Sequence, residues 1–207
     1  MKEYITINGE STAEYTEKHS RFIANAYHCE SEQQAGEIIG GLKTKYWDAK
    51  HNVYAYVLRD GTARFSDDGE PHGTAGKPVL DVIKGSGAVD LLVVVTRYFG
   101  GILLGTGGLV RAYSTSARDA VLAAECVAMR PCKEYEIVCD YSSHMRLVNL
   151  IENSGGSINN TTFTDNVTVE FMLRLEDCVA FEDKLREAFS SKLEAKCKKE
   201  LLFPFKL

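Results

Sequence analysis

The hydrophobic and polar positions of the chain alternate in short stretches that predict a mixture of strands and helices. The clearest stretch is the uninterrupted run of leucine and valine at residues 91–95, which fits a strand buried on both faces. Residues 52–59 alternate regularly, and the following Asp60-Gly61 turn predicts a hairpin with residues 62–65. Further strands are predicted at residues 4–8, 13–18 and 21–28, and helices at residues 31–46, 75–84 and 109–126.

The last third of the chain repeats this alternation in a recognisable order. Strands are predicted at residues 134–140, 157–163, 167–175 and 197–203, and helices at residues 144–153, capped by Ser142 or Ser143, and 178–189. This βαββαβ order predicts a ferredoxin-like domain. Pro131 interrupts the pattern just before it, so we predict an α+β protein with domains at residues 1–131 and 132–207.

Composition and charge narrow the functional classes. The chain has 44% hydrophobic and 26% charged residues, as in an ordinary globular protein, and its net charge of −5 argues against gripping duplex nucleic acid through overall charge. Residues 76–118 nevertheless hold five basic and two acidic side chains. No secretory signal or membrane span is predicted, and six cysteines without a C-x-x-C pair disfavour zinc, so we expect free thiols in the cytoplasm.

The glycine-rich stretch after residues 91–95 is the main candidate for binding. Five glycines fall between Gly100 and Gly108, a density that suggests a loop, and a helix with Arg111 in its first turn is predicted from Leu109. A strand, a glycine loop and a helix start together favour an anion, with basic side chains meeting phosphates and Tyr98 stacking. The residues assigned to this site are Lys77, Arg97, Tyr98, Gly100, Gly101, Gly105, Gly107, Gly108 and Arg111. The alternative is a tight crossover in which Arg111 pairs with an acidic side chain.

A second candidate is the polar stretch that leads into the helix predicted at residues 75–84. It contains Asp67, Asp68, Gly69, Glu70, Thr74 and Gly76, with Thr74 as the predicted helix cap. Its carboxylates could hold Mg²⁺, but we favour a turn that pairs with Arg97 or Arg111. The spacing around Lys77 does not fit a Walker loop, Val110 replaces the last glycine of a dinucleotide fingerprint, and His51 and His72 lack a nucleophile partner. We therefore assign no catalytic residue, metal or cofactor.

Two long motifs resemble those of the YigZ/IMPACT family. They are Phe65-Ser-Asp-Asp-Gly-Glu-Pro-His-Gly-Thr-Ala-Gly-Lys-Pro78 and Val94-Val-Thr-Arg-Tyr-Phe-Gly-Gly-Ile-Leu-Leu-Gly-Thr-Gly-Gly-Leu-Val-Arg-Ala-Tyr113, and the resemblance covers about the first 125 residues. It implies a two-layer N-terminal domain similar to one in a small-subunit ribosomal protein, followed by a ferredoxin-like domain. It also implies a link to translation, since eukaryotic relatives control translation under amino-acid starvation. His72 departs from the family pattern, in which this position is usually small.

The leading hypothesis is a cytosolic, non-enzymatic regulator that binds RNA, the ribosome or a translation-associated protein through the glycine-rich stretch. The rival is a Mg²⁺-dependent enzyme acting on a nucleotide or a phosphorylated small molecule. A third possibility, a pure protein-interaction module, would use an apolar patch instead of a charged glycine loop. The sequence predicts no oligomeric state.

Overall fold

The computed structural model describes residues 2–207, which form two compact units. The first unit comprises Tyr4–Ala128 with Lys206–Leu207, and the second consists mainly of Met129–Phe205. The elements of the first unit are β1 (Tyr4–Ile7), β2 (Glu10–Glu17), β3 (Ser20–His28), α1 (Glu32–Lys45), β4 (His51–Val57), β5 (Ala63–Ser66), α2 (Gly76–Ser86), β6 (Leu91–Tyr98) and α3 (Gly105–Ala123).

The first unit is built on a five-stranded antiparallel sheet with the order β2-β3-β6-β4-β5. The strand predicted to be buried on both faces is confirmed as β6. Its residues point alternately into two hydrophobic cores, one on each face of the sheet. Val93 and Val95 pack in the core that contains residues of α2 and α3, and Leu92 and Val94 pack in the core that contains residues of α1. The sheet thus carries a helix pair on one face and α1 on the other.

Two helix starts illustrate what local sequence can and cannot determine. Helix α1 is capped as predicted, since the Ser31 side chain accepts the N–H of Gln34 at 3.2 Å. Helix α3 was predicted from Leu109 but begins at Gly105, so three of the five glycines lie in its first turn. The buried stripe that includes Ala112, Tyr113 and Ala117 holds this helix against the sheet and outweighs the low helix propensity of glycine.

The second unit has the predicted ferredoxin-like arrangement. Its elements are β7 (Cys126–Cys139), α4 (Tyr141–Asn153), β8 (Ser157–Phe163), β9 (Val167–Arg174), α5 (Cys178–Ala188) and β10 (Lys196–Lys206). The strands follow the order β10-β7-β9-β8, with β7, β8 and β9 joined by antiparallel pairing. One face is covered by the helices, whose Leu147, Ile151, Phe181 and Leu185 pack on the buried side chains of the sheet.

Two local predictions for this region are wrong. Asp140, not Ser142 or Ser143, caps α4, because its side chain accepts the N–H of Ser143 at 2.7 Å. The strand predicted after Pro131 already begins at Cys126. Pro131 directly precedes Cys132, the first β7 residue that pairs with β9, so the missing N–H removes no bond from that ladder. We retain residue 131 as the proposed domain boundary.

None of the helices in residues 2–207 is long and apolar enough to cross a membrane. All six cysteines are free thiols.

Candidate functional site

A buried network joins the acidic loop to the end of β6. Arg97 Nη1 donates to Glu70 Oε1 at 2.6 Å, and the Tyr113 hydroxyl donates to the same oxygen at 2.8 Å. All three side chains are buried. Burial, the charge of Glu70 and this hydrogen bond raise the pKa of Tyr113 far above its usual range, so the hydroxyl remains a donor. The network fixes the acidic loop to β6 and α3.

Arg97 therefore pairs with the acidic loop, which is the arrangement that we favoured for that loop. Its guanidinium is bound to Glu70 and is not exposed to an external phosphate, as the anion-site prediction required. Arg97 Nη2 also lies 3.5 Å from Ser20 Oγ, which accepts the N–H of Gly100 at 3.2 Å. The ring of Phe99 lies 5.6 Å from the Arg97 guanidinium carbon. Arg97 thus contacts Ser20, the residue that binds the first glycine of the glycine-rich stretch.

Asp67 organises the start of α2 in place of the predicted cap. Its carboxylate accepts the N–H groups of Gly73 and Gly76 at 2.8 Å and that of Ala75 at 3.2 Å. Thr74 does not cap the helix, because its hydroxyl donates to the carbonyl of Pro71. Burial raises the pKa of the Asp67 carboxyl, but the three N–H donors outweigh burial and leave the pKa below its ordinary value.

Replacing Asp67 should change the pH dependence of stability. A lowered folded-state pKa means that the carboxylate stabilises the fold above the ordinary value of 3.8 and loses this effect as the pH falls through and below it. We expect Asp67→Asn to lower the free energy of unfolding by about 1–3 kcal/mol at neutral pH. The gap to the wild type should narrow below about pH 4. Urea unfolding across pH measures this, with the exposed Asp81→Asn on α2 as control; parallel pH profiles for the Asp67 variant and the wild type would contradict the assignment.

Asp68 binds the acidic loop to neighbouring elements, and Gly69 provides a turn within the loop. The Asp68 side chain accepts the Asn52 N–H and the Lys43 ammonium, both at 2.7 Å, and its carbonyl lies 2.8 Å from Nδ1 of His51. Gly69 turns the chain at a φ of 86°. The loop's carboxylates therefore bind protein donors, which supports a structural role for the acidic loop over a Mg²⁺ site.

At two positions the backbone of another segment lies so close that only a glycine fits. A β carbon at Gly100 would lie 2.0 Å from the carbonyl carbon of His19, and one at Gly76 would lie 2.6 Å from the carbonyl oxygen of Ser66. Gly100 therefore permits the end of β6 to pack against the β2–β3 turn. Gly101 and Gly105 have positive φ values of 84° and 69°, which turn the chain into α3.

Two other predicted site residues have partners of their own. The Tyr98 hydroxyl donates to Asp48 at 2.8 Å, and this hydrogen bond raises the pKa of Tyr98. Lys77 lies on α2, where it forms an ion pair with Asp81 one helical turn later. These two side chains are less available to a ligand than the sequence suggested.

The residues missed by sequence reasoning are apolar and lie directly before or between the glycines. Phe99, Ile102 and Leu103 are 49%, 46% and 82% exposed. We call residues 99–111 the glycine segment. Large apolar side chains beside flexible glycines were the available signal, but the hydrophobic pattern alone reads them as core.

Arg111 is the predicted basic residue that remains exposed on the glycine segment. Within residues 2–207 it forms no ion pair, and with Lys18 it lines a pocket of about 350 Å³ beside Gly108 and Leu104. The first turn of α3 has no side-chain cap. The segment thus combines an apolar tip, formed by Phe99, Ile102 and Leu103, with a small pocket lined by two basic side chains and the carboxylate of Glu17.

Comparison with known proteins places these features in a family. Residues 18–121 match the Impact N-terminal domain, and residues 137–192 match a domain of unknown function, DUF1949. The IMPACT family member YvyE from Bacillus subtilis (strain 168) is 33% identical over 198 residues, which cover 95% of this chain and 91% of that protein. The IMPACT family member YigZ from Escherichia coli (strain K12) is 36% identical over 174 residues, covering 82% and 85%.

A solved structure and a eukaryotic relative extend the comparison. The structure, described as a crystal structure of an hypothetical protein, is 32% identical with a TM-score of 0.61 and covers 96% of this chain and 98% of its own. A protein IMPACT homolog from Saccharomyces cerevisiae is 36% identical over 114 residues, which cover 53% of this chain and 44% of that protein. The eukaryotic match is thus limited to part of each chain.

Proposed function

The chain belongs to the IMPACT family, and we propose that it is a cytosolic translation-related regulator that binds a protein of the translation apparatus through the glycine segment. The observation that carries this proposal is the exposure of Phe99, Ile102 and Leu103 on a segment supported by a buried network. Exposed apolar side chains that are grouped together typically mark interaction surfaces. The link to translation rests on the resemblance to eukaryotic relatives.

The fixed ends of the glycine segment support a binding role. Gly100 donates to Ser20 Oγ at one end, and Tyr113, just beyond the other end, donates to Glu70. Both contacts are part of one network with Arg97. A segment anchored in this way presents its apolar tip with less loss of conformational freedom on binding than an unanchored loop would.

The second unit offers a less suitable surface for an acidic partner such as RNA. Its β7 and β9 strands carry Glu134, Glu136 and Glu170, which pair with Lys198 and Lys199 of β10. Because each of these lysines is paired with a carboxylate, neither offers a free cation to a phosphate. These charges favour the glycine segment of the first unit as the candidate surface.

RNA is the second candidate partner, supported by the pocket that Arg111 and Lys18 line. The uncapped first turn of α3 adds N–H donors that can bind phosphate. In this candidate site Arg111 binds phosphate as predicted, and Lys18 takes the phosphate-binding role that had been predicted for Arg97. It predicts a strong salt dependence, which a mainly apolar contact does not.

Matched substitutions on α3 and its preceding turn test the proposal. Leu103→Ser should weaken the binding of this protein to a partner of the translation apparatus by about 10-fold or more, because Leu103 is the most exposed side chain of the apolar tip. Leu122→Ser, at a residue 75% exposed near the other end of α3, is the control. Arg111→Glu is compared with Arg118→Glu, another exposed arginine on the same helix. Binding to purified ribosomes, translation factors and RNA is measured across a salt series.

The pattern of losses identifies the partner class. A loss with Leu103→Ser that depends little on salt supports a protein partner. A loss mainly with Arg111→Glu, with a salt slope smaller by about one, supports RNA instead. Equal effects of the test and control substitutions would contradict a role for the glycine segment with either partner.

A further inference from the structure

Strand β8 is an edge of the sheet in the second unit, irregular between Ile158 and Asn160 and regular from Asn160 to Phe163. Within residues 2–207 it pairs with β9 on one side only. All seven of its residues, Ser157–Phe163, are uncharged, and none is proline. Three other edge strands carry charge: β2 has three glutamates, β5 has an arginine and β10 has several lysines. Charged side chains are a common protection against strand pairing between molecules, and β8 lacks it.

The end of this edge carries exposed apolar side chains. Phe163 and Tyr141 are each 57% exposed and stack with ring centroids 6.2 Å apart, and Met145 on the same helix is 64% exposed. The Tyr141 hydroxyl donates to the carbonyl of Thr164, which fixes the ring beside the strand. Backbone groups and an apolar patch are therefore available along one edge.

We propose that β8 pairs antiparallel with β8 of a second copy of this chain, so that the sheets of the two copies become continuous. The regular register with β9 from Asn160 to Phe163 places the two-fold axis within this stretch. The copies then cover Phe163 and Tyr141 on either side of the axis. Pairing at this edge brings no like charges together, because β8 has no charged side chain. A foreign partner selected by charge would find no charge here to recognise.

Single-cysteine variants test the pairing and its register. Cysteine is introduced in turn at Asn160, Thr161 and Thr162, in a Cys197→Ser background that removes the exposed native thiol. On the two-fold axis, two copies of one residue lie close enough for a disulfide. Two residues from the axis the copies are about 13 Å apart, beyond disulfide reach. We expect mild oxidation to link two chains strongly at one position of the scan and weakly at its neighbours.

The concentration dependence of the mass provides an independent readout. Light scattering should show the mass rising from 22.9 kDa toward twice that value as the concentration increases. Thr162→Lys should weaken the association about 10-fold or more, because it places like charges close to the axis. Thr16→Lys, at an exposed position of the edge strand β2, should leave it unchanged. The mass of one chain, 22.9 kDa, at all concentrations, equal cross-linking at all positions, or a different protein seated on β8 would overturn the proposal.

Discussion

Glu70→Ala is expected to lower the free energy of unfolding by about 3–5 kcal/mol, because it leaves the buried Arg97 guanidinium without its counter-charge. The side chains of Glu70 and Arg97 are only 3% and 7% exposed, so water cannot replace the lost carboxylate without local opening. The substitution also removes the acceptor of the Tyr113 hydroxyl. Urea unfolding followed by circular dichroism measures the change.

An exposed ion pair supplies the control. Asp183 and Arg186 on α5 lie 3.0 Å apart and are mostly exposed, so Asp183→Ala should cost about 1 kcal/mol or less. Replacing Glu70, Arg97 and Tyr113 together by leucine, methionine and phenylalanine should recover part of the loss, since no unpaired polar group remains. A cost for Glu70→Ala as small as that of the surface pair would mean that the network is not buried in solution.

Gly100→Ala is expected to destabilise the first unit by about 3 kcal/mol or more, because the added methyl group would meet backbone atoms of His19 and Ser20. These atoms cannot move aside easily. Lys18 and His19 form the β2–β3 turn with positive φ values of 45° and 63°, and the chain then enters the β3 ladder. The substitution should also weaken partner binding, because Gly100 anchors the glycine segment to Ser20.

Gly107→Ala separates crowding from the general effect of removing a glycine. No heavy atom outside its own helix turn lies within 4 Å of the added carbon, and the residue is already helical. We expect this variant to be as stable as the wild type or more stable by up to about 1 kcal/mol. Thermal unfolding compares the two variants, and equal destabilisation by both would show that the close contact at Gly100 is absent.

The strands and the ferredoxin-like order could be predicted because their signal is local. The leucine and valine run of β6 and the strand Ser157–Phe163 follow directly from residue pattern and turn residues. The start of α3 could not, because its glycines oppose a helix and only packing of residues such as Tyr113 on the sheet selects it. At the start of α3, packing against the sheet therefore outweighs the low helix propensity of the glycines.

The candidate site was predicted less well for a related reason. Glu70 finds Arg97 and Tyr113 across separations of 27 and 43 residues, which no spacing rule reveals. The sequence therefore left Arg97 with two predicted roles, binding of a ligand and pairing with the acidic loop, and the structure shows its pairing with Glu70. The apolar tip was overlooked because isolated sequence cannot distinguish an exposed leucine such as Leu103 from a core one.

The enzyme hypothesis depended on free carboxylates in the acidic loop. Asp67 accepts three backbone N–H groups, Asp68 binds Lys43, and Glu70 binds Arg97. A carboxylate held in this way can act on a ligand only by giving up these partners. A Mg²⁺-dependent thermal shift with one nucleotide would support the enzyme hypothesis for this loop.

Site-specific photo-cross-linking at Leu103 tests the central claim, that the glycine segment contacts the translation apparatus. A photoreactive phenylalanine derivative replaces Leu103 in one variant and the similarly exposed Leu122 in the control, and each is irradiated with purified ribosomes and translation factors. We expect a discrete adduct to one protein component from position 103 and none from position 122. The absence of an adduct at position 103, or the same adducts from both positions, would contradict the claim.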